Sequence, residues 1–435
     1  MRTVLYQRIN TNIAILFNAA SLVATYFVKS GLGFAFWWVA AREFLPEDVG
    51  FASAAISAMT LLGSLCMLGL GTLLIRELPR QQGKEESLIS PALILVGVIG
   101  GCAGILFAIF VPYVSADLQP LSASIQDIAL FTVGVSLTAV TLVLDQALIG
   151  LLRGDLQLWR NSLLAGIKLV ALFVASSLVS QRVGLTIYAT WAIGNTLSIA
   201  ALAGFAVLKG KWTGRIYLPH LGLLRKLGPL ALQHHILNLL LEGPGQALPV
   251  LVTVLLSATM NAWFYVSFLL TDIVYFIPYA LVMALYAVSS TQPGALARKA
   301  RLTLGLAVVS CVLANCVLLF DSEQLLGIFG QSYAEQSIWS LRFLGLGSFP
   351  FIIKFHYVAI RRIQDRITDA LLPIMTGALL EVGAAALGAR LGGISGLSLG
   401  WITAVCVEAM FMFRMVYQTA WPKSGCVAKN LPGKR

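Results

Sequence analysis

Twelve long apolar runs leave this chain almost no way to fold in water. They cover residues 19–41, 50–75, 88–112, 127–152, 161–181, 184–208, 229–256, 260–289, 302–320, 337–360, 367–389 and 393–415. A helix needs about 20 predominantly apolar residues to cross a bilayer, and each run is close to or above that length. Inside a bilayer the backbone must satisfy its own hydrogen bonds, which selects helices. Charged residues make up 11% of the chain and hydrophobic ones 58%, against about 25% charged in a soluble domain. The expected fold is an all-α integral membrane protein with about twelve transmembrane helices.

The longest polar interruption is the basic stretch Lys209-Gly-Lys-Trp-Thr-Gly-Arg215, continuing to Arg225-Lys226. It carries five Lys/Arg and no Asp or Glu, with six spans on each side. The domain reading follows: an interfacial N-terminal segment at 1–18, an N-lobe at 19–208, a basic cytoplasmic linker at 209–228, a C-lobe at 229–415 and a basic cytoplasmic tail at 416–435.

The sites of the charges set the orientation. If alternate loops are placed inside, they hold 23 of the 30 Lys/Arg and the outer ends hold 4; Lys29, Lys168 and Lys354 lie within spans. That asymmetry is the positive-inside signature, so both termini are expected in the cytoplasm. The net charge of +11 then reflects insertion and anionic headgroups, with membrane lipids rather than nucleic acid as partners. Six spans per half also make any repeat a parallel one, about an axis along the membrane normal.

Enzyme chemistry finds little support. The longest outer loops, 113–126 and 321–336, are too small for a catalytic domain, and no Walker motif, nucleotide fingerprint or HExxH appears. The six cysteines (66, 102, 311, 316, 406 and 426) form no CxxC pair, so neither a disulfide framework nor a zinc site is expected. The first apolar run lacks a small-residue cleavage site and is expected to remain a helix.

Several segments resemble bacterial polysaccharide flippases of the O-antigen type, within the multidrug/oligosaccharidyl-lipid/polysaccharide exporter superfamily. In the first half these are Phe17-Asn-Ala-Ala-Ser21, Gly31-Leu-Gly-Phe34 with Trp37-Trp38, Val49-Gly-Phe-Ala-Ser53, Leu68-Gly-Leu-Gly71 and Arg76-Glu77. In the second they are Asn261-Ala-Trp-Phe-Tyr265, Ile277-Pro278 and Phe329-Gly-Gln-Ser-Tyr-Ala334. The resemblance implies two six-helix lobes around a central cleft, alternating access, and a pyrophosphate-linked lipid with a sugar head as substrate. It also implies a bacterial inner-membrane location, no bound cofactor, H+ or Na+ as candidate coupling ion, and other polysaccharide assembly proteins as partners.

Intramembrane charges are costly, about 2.5–3.5 kcal/mol on insertion scales, and so mark candidate sites. Lys29 shares a helix face with Asn18, Thr25, Tyr26, Gly33 and Trp37; Lys29, Tyr26 and Trp37 are candidate substrate contacts, with the lysine toward phosphate. Asp272 shares a face with Tyr265, Phe268, Tyr275 and Tyr279. Tyrosines can stack on sugars and bond their hydroxyls, so Asp272, Tyr275 and Tyr279 join the substrate set; helix packing explains such a stripe equally. Gly243-Pro244-Gly245 predicts a break or hinge, because proline lacks an N–H and frees the carbonyl one turn back. Beside it, Glu242 and His235 are candidate ion-coupling groups, with His234 adjacent.

Asp145 and Lys168 are expected to pair across the hairpin of spans 4 and 5. Lys354, with His356 near the end of span 10, is expected to snorkel to the interface. Glu381 and Glu408 face either the second lobe's interior or a bonding partner. The competing functions are a multidrug/cation antiporter of the same superfamily, a membrane glycan polymerase or ligase, and a scaffold.

Overall fold

The computed structural model describes residues 2–81, 83, 85–178, 183–209, 217–218, 229–291 and 296–422. Most of the expected basic linker and the tail beyond residue 422 therefore lie outside the described residues. Within them the chain is helical, with no strand, and ten helices are long and apolar enough to cross a membrane. The protein is a multi-pass membrane protein.

The first half comprises α1 (Arg2–Glu43), α2 (Pro46–Cys66), α3 (Leu70–Glu77), α4 (Glu86–Phe110), α5 (Ile125–Gly150), α6 (Gly154–Leu178) and α7 (Gly184–Leu208). The second comprises α8 (Pro229–Leu255), α9 (Ala258–Thr291), α10 (Leu296–Phe320), α11 (Ser322–Gly327), α12 (Gln331–Leu346), α13 (Ser348–Ile363) and α14 (Thr368–Ala420). Residues 1–18 are not a separate element, since α1 runs unbroken for 42 residues through the expected first span. The second span is broken instead. Leu68 (φ 49°) and Gly69 (φ 79°) adopt the left-handed conformation between α2 and α3, which glycine tolerates and leucine does not without cost. The last two spans are the arms of α14, which meet at Gly392 and Gly393, where the dihedrals leave the helical region.

Local chemistry fixes several helix starts. Pro46 occupies the first turn of α2 with Glu47 and Asp48 beside it, a proline and acidic start suited to the helix dipole. The Asp48 carboxylate also accepts the Gly184 N–H at 2.7 Å, joining α2 to the start of α7. Ser124 caps α5 by accepting the Asp127 N–H at 3.2 Å, the standard use of serine at that position.

Contacts divide the chain into residues 1–239 and 240–435. The boundary falls inside α8 rather than in the 209–228 segment. In the first unit α4 packs on α5, α1 on α6, α6 on α7, and α2 on α5 and α7. Small residues permit the closest approach: a Cβ on Gly104 would sit 2.9 Å from the Thr132 Cα. In the second unit α9 packs on α10, α12 and α13, and α13 on α14. Its core gathers Tyr275, Phe351, Ile402 and Trp401. The arms of α14 touch backbone to backbone at Gly388 and Gly396.

Candidate functional site

Each unit holds a buried lysine, and the two are satisfied in different ways. In the first unit Lys168 on α6 is 7% exposed. Its Nζ lies 3.7 Å from the Trp191 ring centroid on α7 and 4.9 Å from that of Phe36 on α1. Phe36 meets Trp191 and Trp37 edge to face. Among the described residues Lys168 has no carboxylate partner. Cation–π contacts give about 0.5–2 kcal/mol, less than burying an ammonium ion costs. Lys29 on α1, which packs against α6, is exposed and is one of the charges acting on Lys168. The pair makes this region locally cationic, so an anionic group placed there would gain from both.

The expected Asp145–Lys168 pair is not formed. Asp145 is held by Arg160, whose Nη2 donates to both carboxylate oxygens at 2.8 Å and whose Nε donates at 3.0 Å. Asn161 is a second donor residue, its Nδ2 donating at 3.1 Å. The reason is the position of the turn. The α5–α6 hairpin reverses at Leu152, a left-handed residue with φ 55°, and Asp145 and Arg160 are nearly equidistant from it. Lys168 lies two turns farther along α6.

In the second unit Lys354 is fully buried. It donates to Glu381 Oε1 and lies 2.9 Å from Glu408 Oε2. The Trp401 indole N–H donates to Glu381 Oε2 at 2.6 Å. Lys354 therefore does not snorkel, because α13 presents it to the hairpin of α14 rather than to the interface. Glu381 and Glu408 face this interior, one on each arm. Glu381 precedes Gly392 by 11 residues and Glu408 follows Gly393 by 15, so spacing from the kink gave no sequence signal for their meeting. His356 is also buried, with its Nε2 3.0 Å from the Thr303 Oγ1 and its Nδ1 2.7 Å from the Ile352 carbonyl.

The other site candidates separate by exposure. Lys29, Asp272, Tyr279 and Glu242 are exposed and Tyr26 is half-buried. Trp37 and Tyr275 are core residues and not open to a ligand in this structure. Tyr275 donates to the Leu344 carbonyl and packs on Phe351 and Trp401. Tyr279 meets Phe355 edge to face, and the charges of Glu242 and Arg362 both act on its hydroxyl. His235 is buried and hydrogen-bonded to the Leu65 backbone, which ties α8 to the end of α2. No helix break occurs at Gly243-Pro244-Gly245, because α8 continues through both Pro244 and Pro249. A proline removes one hydrogen bond, and the remaining ladder here carries the helix across the gap.

The model of a family described as polysaccharide biosynthesis protein matches residues 15–241. The chain belongs to this polysaccharide biosynthesis family. Its matched segment includes Lys29, Phe36, Lys168 and Trp191. No curated protein matches the chain in sequence.

Solved structures share its fold. An inward-facing multidrug resistance MATE family transporter of the MOP superfamily is 14% identical with a TM-score of 0.71, covering 93% of this chain and 98% of its own. An outward-facing MATE family transporter of that superfamily is 13% identical with a TM-score of 0.64, covering 94% and 95%. A MOP superfamily transporter from Pyrococcus furiosus, described as having a binding pocket of reverse polarity, is 13% identical with a TM-score of 0.62, covering 93% and 96%. This member of the polysaccharide biosynthesis family thus has the MOP-superfamily transporter fold.

Proposed function

We propose that the protein is a flippase that moves a lipid-linked oligosaccharide, the repeat unit of a surface polysaccharide, across the bacterial inner membrane. The carrying observation is the uncompensated Lys168, with Lys29 near it, inside the segment that matches the polysaccharide family. A pyrophosphate brings the missing negative charge and several acceptor oxygens, and charge-assisted bonds to lysine are among the stronger hydrogen bonds. The sugar head passes with the phosphate while the lipid tail stays in the bilayer. Transport runs by alternating access, with both termini in the cytoplasm, as the positive-inside distribution of charge favours.

Pro244 and Pro249 leave the carbonyls one turn back without their usual helical donor, which makes α8 the helix best suited to bend during the cycle. Tyr26, on the same helix as Lys29, is the remaining polar group of the first unit proposed to meet the sugar. Any coupling ion must bind one state better than the other, or it drives nothing.

Deleting the gene in its host and assaying lipid-linked oligosaccharide by leaflet tests this reading. Accumulation on the cytoplasmic leaflet with loss of surface polymer is expected, and Lys168→Met is expected to reproduce it. The second reading, a multidrug/cation antiporter, draws on the fold likeness and on the buried carboxylates of the second unit. Unchanged polymer with altered sensitivity to cationic drugs would replace the flippase with the antiporter.

A further inference from the structure

The buried cluster of the second unit has one formal positive charge and two carboxyl groups, and nothing in the flippase reading uses it. Lys354, Glu381 and Glu408 have side-chain exposures of 0%, 1% and 4%. With both glutamates ionised the cluster would carry a net negative charge in a closed interior, and an uncompensated buried charge of that kind is strongly unfavourable.

The two carboxyl groups are not equivalent. Glu381 receives the Lys354 ammonium on one oxygen and the Trp401 indole N–H on the other, so the ionised form is satisfied on both sides. Glu408 has Lys354 within 2.9 Å of Oε2 but no well-aligned hydrogen bond on either buried oxygen. Its carboxyl lies against Gly377, in space that a Cβ there would fill.

The surrounding helices supply no second cation among the described residues. On α9, Tyr275 is the titratable group that Glu381 reaches, and Asp272 acts on the same hydroxyl. On α12, Ser340 is paired with Ser398 at 2.7 Å. On α13, His356 turns away to Thr303 of α10.

We propose that Glu408 is a proton-binding site, carrying an exchangeable proton while Lys354 and Glu381 form the ion pair. A proton fits better than a metal ion, because the ammonium already occupies the space between the carboxyl groups. Proton release would leave a buried negative charge, so it favours any rearrangement of α13 and α14 that hydrates Glu408. The second unit is thereby sensitive to proton binding.

The test is infrared spectroscopy of the full chain in lipid nanodiscs, reading the carbonyl stretch of protonated carboxylic acids across a pH titration. Wild type is expected to show such a band near neutral pH and to lose it as pH rises. Glu408→Gln should remove the band at every pH, while Glu242→Gln and Asp272→Asn retain it. Glu408→Asp, which keeps a carboxyl group, should shift the band rather than abolish it, and it serves if the glutamine variant does not fold. The proposal is overturned if wild type has no titrating band or if Glu408→Gln leaves it intact. Removal by Glu242→Gln or Asp272→Asn instead, or loss of the band on adding sodium at constant pH, also overturns it.

Discussion

Lys168 and Lys354 are the same residue type at similar burial, yet their surroundings differ in sign. Lys168 sits against two aromatic rings with no carboxylate among the described residues, whereas Lys354 has two carboxyl groups and an indole N–H completing the set. The Lys168 centre is short of negative charge and the Lys354 centre has it in excess. A buried lysine is therefore not one kind of feature. An aromatic shell leaves its charge available to a ligand, and a carboxylate shell spends it on the fold. The groups around each centre, rather than the lysine itself, indicate what it does.

The comparison can be broken most severely at Lys354. Lys354→Met leaves two carboxyl groups facing each other in the core and should cost about 3–5 kcal/mol, as for removal of one partner of a buried pair. Thermal unfolding in nanodiscs checks this, and pairing the change with Glu381→Gln should recover part of the loss. Lys168→Met should behave oppositely, keeping or raising the unfolding temperature because it removes an unpaired buried charge. Equal losses from the two methionine variants would erase the proposed distinction.

Asp145→Asn sharpens the contrast within the first unit. It weakens the bidentate Arg160 pair and should cost about 1.5–3 kcal/mol. Exchanging the residues as Asp145→Lys with Lys168→Asp should give no rescue, since the two do not meet. Recovery of folding by that double change would contradict the assigned pairing.

Gly134→Ala tests packing in the same unit, because the added Cβ would overlap the Tyr188 hydroxyl. Such overpacking costs about 1–3 kcal/mol. Tyr188→Phe in the same chain should relieve it, at the expense of the bond to the Phe131 carbonyl. Chemical denaturation of the single and double variants reads both terms. The smallest expected change is Tyr275→Phe, which removes one hydrogen bond to Leu344 and should cost about 1 kcal/mol. Flipping activity should remain, since Tyr275 is a core residue; lost activity at retained stability would return it to the substrate set.

The fold was legible because long apolar runs in lipid admit few solutions. The twelve expected spans are largely helical over their described residues, apart from their ends, the break at Leu68-Gly69 and the joint at Gly347. The breaks were less legible. Gly243-Pro244-Gly245 reads as a break or hinge but is tolerated inside α8, while the reversals use Gly392-Gly393 and the left-handed Leu152, and the second span breaks at the left-handed Leu68. A leucine gives no turn signal. Placing the α5–α6 reversal a few residues too late was enough to assign Lys168 to Asp145 in place of Arg160. The tyrosine stripe of α9 was visible as a period, but a period does not say which face is core: Tyr275 is buried and Tyr279 exposed. The Lys354 cluster depends on residues 27 and 54 positions apart in sequence meeting at one point, which only the tertiary arrangement of α13 and α14 produces.

The most direct test of the account is whether Lys168 receives a lipid pyrophosphate. The full chain in nanodiscs would be unfolded thermally with and without a short-chain prenyl pyrophosphate, beside Lys168→Met and Lys354→Arg. A ligand that binds the folded state raises its unfolding temperature. A concentration-dependent rise is expected for wild type and Lys354→Arg, and for Lys168→Met a rise that needs at least about tenfold more ligand, the equivalent of about 1.4 kcal/mol. An equal rise in wild type and Lys168→Met would contradict it.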